Sequence, residues 1–248
     1  MERVGIRYHK VFQEFTKRGH PVMAHKLAVF DMDGTLLDSL PDLAESGRDL
    51  LASYTLPSVT DAQVRQMIGN GVPLLVERLL GAASAQGAVE QVAQIDHAQA
   101  CQRFMALYTP RATRLSRLFP GTEAALHSLR AQGWVLAVCT NKPEVAALAI
   151  LERFALSSLF ACVGGGDSFT ARKPDPVHLL GTIEKAHGTP KRTVMIGDMS
   201  PDLLAAQAAG CPALFAAWGY GDQSLADMAQ AQANSMADVP DCITRLLA

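Results

Sequence analysis

The sequence contains few of the features that mark secreted or membrane-embedded proteins. Only five of its 248 residues are cysteines, they are scattered, and none forms a Cys-x-x-Cys pair. Disulfide frameworks belong mainly to small secreted chains, so we expect five reduced and mostly buried thiols in a cytoplasmic protein. Mean hydropathy is +0.11, yet no apolar run approaches the roughly 20 residues of a membrane helix. These absences predict a soluble protein with no membrane partner.

The chain also lacks an excess of either charge. It contains 22 Lys and Arg residues against 24 Asp and Glu residues, a net charge of -2, without a basic stripe or an acidic tail. Proteins that bind nucleic acid usually carry a basic surface, so we expect no nucleic-acid partner. His25, His97 and His127 show no spacing typical of a zinc site, and we expect none of them to be catalytic. Hydrophobic residues make up 49% of the chain, enough for a sizeable core in one or two domains.

The first 24 residues are polar and have neither the apolar region nor the cleavage site of a secretory signal. We interpret residues 1–24 as an N-terminal extension that is poorly ordered, with Met23 as the functional start. The alternative is a helix docked on the body of the protein or on a partner chain.

Short apolar runs without alternation recur along the chain, as in strands that are buried on both faces of a parallel sheet. They are 27–30, 135–139, 160–163, 194–196 and 213–216. Helical patterns lie between them at 122–132, 143–153, 176–187 and 201–209, with Pro143 and Pro201 at predicted helix starts and Gly133 and Gly210 at predicted ends. This alternation predicts an α/β fold with a doubly wound, Rossmann-like parallel sheet.

A helical segment interrupts that alternation directly after the first strand. No convincing strand lies between Ser39 and Arg111, and helical patterns occupy 41–54, 61–68, 72–81 and 89–108, with a loop predicted within 81–94. Leu43, Leu50 and Leu51 share one helical face. We therefore predict an inserted small helical cap domain at 39–112, and an α/β catalytic core formed by 25–38 and 113–248.

Polar residues follow four of the predicted strands, where each strand ends. In a parallel α/β sheet, ligands bind beyond the carboxyl ends of the strands, so these residues are expected to meet there. They are Asp31 and Asp33; Thr140, Asn141 and Lys142; Lys173; and Asp198 and Asp202. Residues two apart in an extended chain point to the same side, so Asp31 and Asp33 can both face the cleft, or one side chain and one carbonyl can.

Several carboxylates in one cleft require a counter-charge, and Mg²⁺ suits carboxylates, waters and a substrate phosphate. Gly34 allows the chain to turn sharply, Thr140 offers a hydroxyl, and Lys173 supplies a point charge, which together describe a phosphoryl site. An EF-hand loop is excluded because Gly34 stands at its fourth position instead of the sixth, and Asp42 stands where glutamate is expected.

These motifs resemble the haloacid dehalogenase-like hydrolase superfamily over about residues 25–248: Asp31-Met32-Asp33-Gly34-Thr35, then Thr140, Lys173, and Gly197-Asp198 with Asp202. The insert resembles the C1 cap of that family. The stretches 68–81, 119–143, 163–176 and 198–202 are most similar to its phosphoglycolate phosphatase-like branch. Met199 and Pro201 depart from the pattern, since a serine directly after Gly-Asp and no proline were expected.

The resemblance implies a role for each matching residue. Asp31 would be the nucleophile and Asp33 the acid and base, with Thr140 and Lys173 completing the catalytic set. Thr140, Asn141, Lys173 and Gly34 would bind phosphate, and Mg²⁺ would be held by Asp31, Asp33 (through its carbonyl), Asp198 and Asp202. The cap loop Gly69-Asn70-Gly71 would contact substrate, and a substrate carboxylate could meet Arg48, Arg65 or Lys142.

The expected function is that of a Mg²⁺-dependent phosphatase for a small phosphorylated metabolite, with 2-phosphoglycolate as the favoured substrate. Alternatives are a phosphatase for a sugar phosphate, such as an amino-sugar 6-phosphate, a phosphomutase of β-phosphoglucomutase type, and a non-enzymatic receiver domain. The first-strand position of Asp31 and the cap count against the receiver. We expect a monomer or a homodimer.

Overall fold

The apolar runs predicted as strands form one sheet in the computed structural model, which describes residues 25–248. The strands there are β1 Leu27–Phe30, β2 Leu37–Asp38, β3 Arg117–Leu118, β4 Val135–Cys139, β5 Cys162–Gly164, β6 Thr193–Gly197, β7 Ala213–Ala216 and β8 Ala231–Ala233. Six of them pair in the order β5-β4-β1-β6-β7-β8, and every pairing in this sheet is parallel. The predicted doubly wound α/β core is confirmed.

Strand β1 lies at the centre of the sheet, between β4 and β6. Phe30, its last residue, is in register with Val138 on one side and Ile196 on the other. The chain runs outward from β1 through β4 to β5, then returns to the other side of β1 with β6. The direction of winding therefore reverses beside β1, and a crevice opens at the carboxyl ends of the strands around such a reversal.

Alternate residues of β1 pack into two separate cores, because successive side chains of a strand point to opposite faces. Ala28 and Phe30 pack on one face of the sheet, whereas Leu27 and Val29 pack on the other. The first face is covered by α6 Thr122–Ala131, α7 Glu144–Arg153 and α10 Val239–Leu246, and the second by α8 Pro176–Lys185 and α9 Ser200–Ala209. Burial on both faces explains why these strands have no polar alternation.

The segment between β2 and β3 is helical, as predicted. Its helices are α1 Leu40–Ser53, α2 Asp61–Arg65, α3 Val72–Ala85, α4 Val89–Ala93 and α5 His97–Tyr108. They enclose a hydrophobic core of their own, in which Leu43, Leu50 and Leu51 are buried, so their common helical face is confirmed. We call this helical segment the cap; the boundaries proposed at 39 and 112 remain an interpretation.

The two linkers that join the cap to the sheet are fastened to each other. Strands β2 and β3 pair in antiparallel fashion, with Leu37 opposite Leu118. The buried Asp42 carboxylate in the first turn of α1 accepts hydrogen bonds from the backbone N–H groups of Leu115 and Ser116 at 2.7–3.0 Å. Hydrogen bonds that a carboxylate accepts from backbone N–H groups are strong where water is excluded, so Asp42 joins the start of the cap to its end.

The structure corrects several details of the sequence-based prediction. Strand β5 begins two residues later than predicted, and α7 starts at Glu144 rather than at Pro143, which caps it. The proposed loop at 81–94 is mainly helical, and the predicted helix 89–108 is broken before Asp96, whose side chain caps α5 by accepting from the Gln99 N–H. The short strands β2, β3 and β8 were not predicted, because two or three residues carry too little periodicity.

The cysteines of the chain are placed as the sequence predicts. All five cysteines lie within the described residues and are unpaired, and Cys139, Cys211 and Cys242 are buried, as expected. Within residues 25–248, none of the helices combines the length and the apolar character required to cross a membrane. The proposed N-terminal extension and its alternative concern residues 1–24 and lie outside the described residues.

Candidate active site

Several of the residues predicted at the strand ends line one cleft between the sheet and the cap. Asp31 and Asp33 line it from the end of β1, and Thr140 and Asn141 line it from the loop after β4. Of the predicted cap loop, Gly69 and Gly71 line the cleft, and Asn70 does not. The other cap residues in the lining are apolar except for Tyr108; they are Leu43, Ile68, Val72, Leu75 and Met105.

Lys173 lies directly behind the Asp31 carboxylate. Its Nζ is 3.0 Å from Asp31 Oδ1 and 2.6 Å from Asp202 Oδ1, and it also donates to the Cys139 carbonyl. Its side chain is only 1% exposed. Burial alone would lower the pKa of this ammonium, but the Asp202 and Asp31 carboxylates outweigh it and raise the pKa, so Lys173 stays charged.

Asp31, Asp198 and Asp202 form a buried cluster in which one ligand atom from each lies within 4.8 Å of the others. Burial raises the pKa of the Asp31 carboxyl to about 7, although the Lys173 ammonium opposes this shift. Burial, together with repulsion from Asp202 and Asp31, raises the pKa of Asp198 well above its usual range. A cluster of three carboxylates with one neighbouring ammonium is short of positive charge.

The cluster fits a hard divalent cation, because carboxylate oxygens are the ligands that Mg²⁺ prefers. Asp198 is already oriented, since Thr35 Oγ1 donates to its Oδ1 and the Tyr220 backbone N–H donates to its Oδ2, each at 2.8 Å. Each carboxylate oxygen still has a lone pair available. The Asp33 side chain is not part of this cluster, so a metal contact by Asp33 would come from its carbonyl.

Two glycines, Gly34 and Gly219, have no side chain where the Asp198 side chain lies. A Cβ placed on Gly34 would lie 2.2 Å from Asp198 Oδ2, and one on Gly219 would lie 2.2 Å from the Asp198 Cβ. Gly34 also has a φ of +88°, a conformation that side chains disfavour. Gly34 therefore acts by admitting the Asp198 carboxylate to the end of β1; the predicted phosphate contact through its backbone remains a prediction.

Replacing Gly34 by alanine is expected to displace Asp198 and to weaken Mg²⁺ binding. We expect kcat/KM to fall by about 100-fold or more, since small displacements of positioned groups have such effects, and stability to fall by about 1–3 kcal/mol. Gly81→Ala is the matched control, because a Cβ at this position within α3 meets nothing within 4 Å. Measured Mg²⁺ affinity equal in Gly34→Ala and Gly81→Ala would contradict this account.

His178, which the sequence did not single out, holds the Lys173 loop in place. Its Nδ1 accepts the Lys173 backbone N–H at 3.1 Å, and its Nε2 lies 3.1 Å from the Gly164 carbonyl, so the proton belongs on Nε2. Burial, and then the positive charge of Lys173, lowers the pKa of His178 to about 4. The position of this histidine, in the first turn of the helix after Lys173, is the feature of the sequence that could have indicated its role.

The neutral His178 is expected to make the protein sensitive to acid. Between pH about 4 and 6.5 the unfolded chain binds a proton on this imidazole that the folded protein does not bind, so the contribution of His178 to stability falls as pH falls through that window. The raised pKa of Asp31 acts in the opposite direction. His178→Gln should remove about 2–3 kcal/mol of this loss, measured by urea unfolding at several pH values. His127→Gln, at an exposed position, should leave the pH dependence unchanged. Identical pH profiles for wild type and His178→Gln would refute the assignment.

The predicted phosphate ligands after β4 have distinct surroundings. Thr140 is buried and lines the cleft, and its hydroxyl accepts the Lys142 backbone N–H at 3.3 Å. The Asn141 amide donates both of its N–H bonds, to the carbonyls of Gly69 and Lys173, at 2.9 Å each. Asn141 therefore connects the cap loop to the Lys173 loop, and any phosphate contact from it would come from its backbone.

Of the three cations considered for a substrate carboxylate, only Lys142 lines the cleft. Lys142 is buried, with its Nζ 2.9 Å from Asp33 Oδ2 and 2.9 Å from the Tyr108 hydroxyl. Arg48 pairs instead with Asp61 at the surface. Arg65 donates to the Gly219 carbonyl and lies over the ring of Tyr220.

Tyr220 is a second residue that the sequence did not single out. Its backbone N–H donates to Asp198, while its hydroxyl donates to Asp38 Oδ1 and accepts from the N–H groups of Ser39 and Leu40 at 2.8–3.0 Å. Asp38 and Ser39 belong to the first linker of the cap. Tyr220 therefore connects the carboxylate cluster to the first linker of the cap.

Comparison with known proteins shows the family to which this chain belongs. The model of the haloacid dehalogenase-like hydrolases matches residues 28–216. The chain belongs to the haloacid dehalogenase-like hydrolase family. A phosphoglycolate phosphatase of Mesorhizobium japonicum is 39% identical over 201 residues, covering 81% of this chain and 86% of that protein. One from Haemophilus influenzae is 38% identical over 195 residues, with 79% and 87% covered.

Solved structures share the fold of this chain. The crystal structure of a predicted phosphoglycolate phosphatase from Haemophilus somnus has a TM-score of 0.81 at 31% identity, covering 90% of this chain and 100% of that one. A predicted phosphatase from Clostridium acetobutylicum has a TM-score of 0.74 at 22% identity, covering 90% and 99%, and is evidence for the fold alone. The family resemblance drawn from the sequence is confirmed.

Proposed function

We propose that this hydrolase is a Mg²⁺-dependent phosphatase that converts 2-phosphoglycolate to glycolate and phosphate. The observation that carries the proposal is the meeting of Asp31, Asp33 and Thr140 in one cleft, with Lys173 and the other two carboxylates of the cluster packed around Asp31. The choice of 2-phosphoglycolate as substrate is supported by relatives at 36–39% identity that are named phosphoglycolate phosphatase. A cytoplasmic location and a monomeric or dimeric state stay predictions.

In the proposed reaction Asp31 attacks phosphorus, and the ester bond between phosphorus and the leaving oxygen breaks. Asp33 must hold a proton for this step and gives it to that oxygen, which leaves as the alcohol group of glycolate. Asp33 then takes a proton from the water that attacks the aspartyl-phosphate, releasing phosphate and restoring Asp31. Thr140 would hold a phosphoryl oxygen, whereas Lys173, whose three donors reach Asp31, Asp202 and the Cys139 carbonyl, compensates the charge of Asp31.

Mg²⁺ bound by Asp31, Asp198, Asp202 and the Asp33 carbonyl would supply positive charge beside the transferring phosphoryl group. The residues of this chain prepare the site for it. Tyr220 and Thr35 orient Asp198 before any cation arrives, and the cap covers the cleft with apolar side chains that exclude water.

The lining of the cleft favours a small substrate over a sugar phosphate. A sugar presents many hydroxyl groups, each of which loses hydrogen bonds to water when it is buried without a partner. Among the described cap residues in the lining, Tyr108 carries the only polar side chain. A two-carbon substrate requires fewer polar partners, which supports 2-phosphoglycolate against the amino-sugar and mutase alternatives.

Phosphate release from a panel of monoesters tests the proposal. The panel contains 2-phosphoglycolate, glucosamine 6-phosphate and β-glucose 1-phosphate, each assayed with Mg²⁺ and with EDTA. We expect the highest kcat/KM for 2-phosphoglycolate and no measurable turnover in EDTA. A preference for either sugar phosphate would overturn the substrate while leaving the reaction class intact, and no release from any monoester would overturn both.

A further inference from the structure

Lys142 carries a buried positive charge that the proposed chemistry does not use. Its side chain is 4% exposed, and its ammonium contacts the Asp33 carboxylate from the sheet and the Tyr108 hydroxyl from the cap. Burial alone would lower the pKa of this ammonium, but Asp33 and Tyr108 outweigh it and raise the pKa, so the charge is retained. A buried charge is costly unless it is fully bonded.

The ammonium has one donor to spare. A lysine ammonium carries three N–H donors, and within the described residues Asp33 Oδ2 and the Tyr108 hydroxyl take two of them. Asp33 Oδ1 is likewise buried without a hydrogen-bond partner. Both residues line the cleft, so the open donor of Lys142 and the open oxygen of Asp33 are available to a ligand there.

The position of Lys142 fits the second anionic group of the proposed substrate. In 2-phosphoglycolate the carboxylate is attached to the carbon that bears the ester oxygen. Asp33 must reach that oxygen to protonate it, so a cation in contact with Asp33 lies beside the carboxylate. Lys142 is the only lysine or arginine among the residues described as lining the cleft, while Lys173 is already engaged with Asp31 and Asp202.

We propose that Lys142 is a specificity-determining residue, whose ammonium binds the substrate carboxylate with its third donor. The inference rests on the proposed function, because it requires a substrate with an anionic group beside the leaving oxygen. Tyr108 holds the ammonium from the cap side, so the carboxylate site is complete only when α5 lies over the cleft. Monoesters without the carboxylate would leave the buried donor unsatisfied and would bind less well.

The test compares two alkyl esters in wild type and in Lys142→Met. 2-Phosphoglycolate and ethyl phosphate both release an alkoxide, but ethyl phosphate has a methyl group where the carboxylate stands. Any effect of the substitution on the position of Asp33 acts on both substrates, so the ratio of their kcat/KM values isolates the carboxylate. We expect Lys142→Met to reduce that ratio by about 10- to 100-fold, the range of a hydrogen bond to a charged group, mainly through KM for 2-phosphoglycolate.

Three further variants keep the test decisive. Lys191→Met replaces an exposed lysine and should leave the ratio unchanged. Lys142→Arg keeps the charge and should retain most of the preference, and it remains usable if thermal unfolding shows that Lys142→Met does not fold. In that case loss of the preference in folded Lys142→Gln, with retention in Lys142→Arg, would support the inference.

The outcomes separate the two proposals. An unchanged ratio in folded Lys142→Met, with wild type active on 2-phosphoglycolate, would overturn the role of Lys142 and leave the proposed function standing. A wild type that hydrolyses ethyl phosphate as readily as 2-phosphoglycolate would also overturn that role, since no carboxylate recognition would exist. A wild type that prefers a sugar phosphate would overturn the proposed function, and this inference with it.

Discussion

Asp31→Asn is expected to lower kcat for phosphate release by about 10⁴-fold or more while the protein remains folded. An amide cannot attack phosphorus as a carboxylate does, and removal of a covalent nucleophile commonly has an effect of this size. Burial raises the pKa of Asp31 to about 7, so ionising this group costs folding free energy. The metal-free variant should therefore unfold at a temperature equal to or above that of wild type at about pH 8.

Steady-state assays and thermal unfolding without metal measure the two effects separately. Asp227→Asn makes the same chemical change at an exposed position outside the site, and we expect wild-type kcat and stability from it. Substantial turnover by Asp31→Asn would refute the nucleophile assignment. A large loss of stability would show instead that the ionised carboxylate holds the loop together through Lys173.

Lys173→Met is expected to damage both activity and stability. The substitution leaves the buried carboxylates Asp31 and Asp202 without the ammonium that lies 3.0 Å and 2.6 Å from them. Removing one partner of a buried ion pair usually costs about 3–5 kcal/mol of folding free energy. We expect kcat/KM to fall by about 10³-fold, because Lys173 acts in a closed site of low dielectric constant.

The pH dependence of the stability loss identifies its cause. If unpaired carboxylates destabilise Lys173→Met, they can take up protons in acid, so its deficit against wild type should be smaller at about pH 5 than at about pH 8. Lys191→Met serves as the control for loss of a lysine and should be stable at both values. A deficit independent of pH would point to lost packing of the lysine stem rather than to charge.

The long strands of the sheet could be predicted because each is an uninterrupted run of apolar residues in the sequence. Strands such as β1 and β7 are buried on both faces, so each is an apolar run, and the run of β1 ends at the polar Asp31. The site positions that follow these runs were predicted from one rule of α/β folds, and the structure brings Asp31, Asp33 and Thr140 together with Lys173 and Asp198. The bounds of the cap helices were harder to predict, since breaks such as the one before Asp96 depend on capping.

The residues that support the site could not be found in this way. Neither His178 nor Tyr220 belongs to a recognisable sequence motif. Each acts through a partner from another part of the chain: His178 contacts the Gly164 carbonyl, and Tyr220 contacts Asp38. By sequence, Lys142 is one of three equal candidates for binding a substrate carboxylate. Its burial and its contact with Asp33 distinguish it from Arg48 and Arg65.

Local sequence determined where the chain is apolar, where it turns and which reactive groups stand at the turns, because each of these depends on neighbouring residues alone. Tertiary structure decided which charges face one another: that Lys173 compensates Asp31, that Lys142 contacts Asp33, and that the cap approaches the sheet through Tyr108 and the loop at Gly69. Electrostatic energies depend on distance and on exclusion of water, and both quantities exist only once the chain has folded.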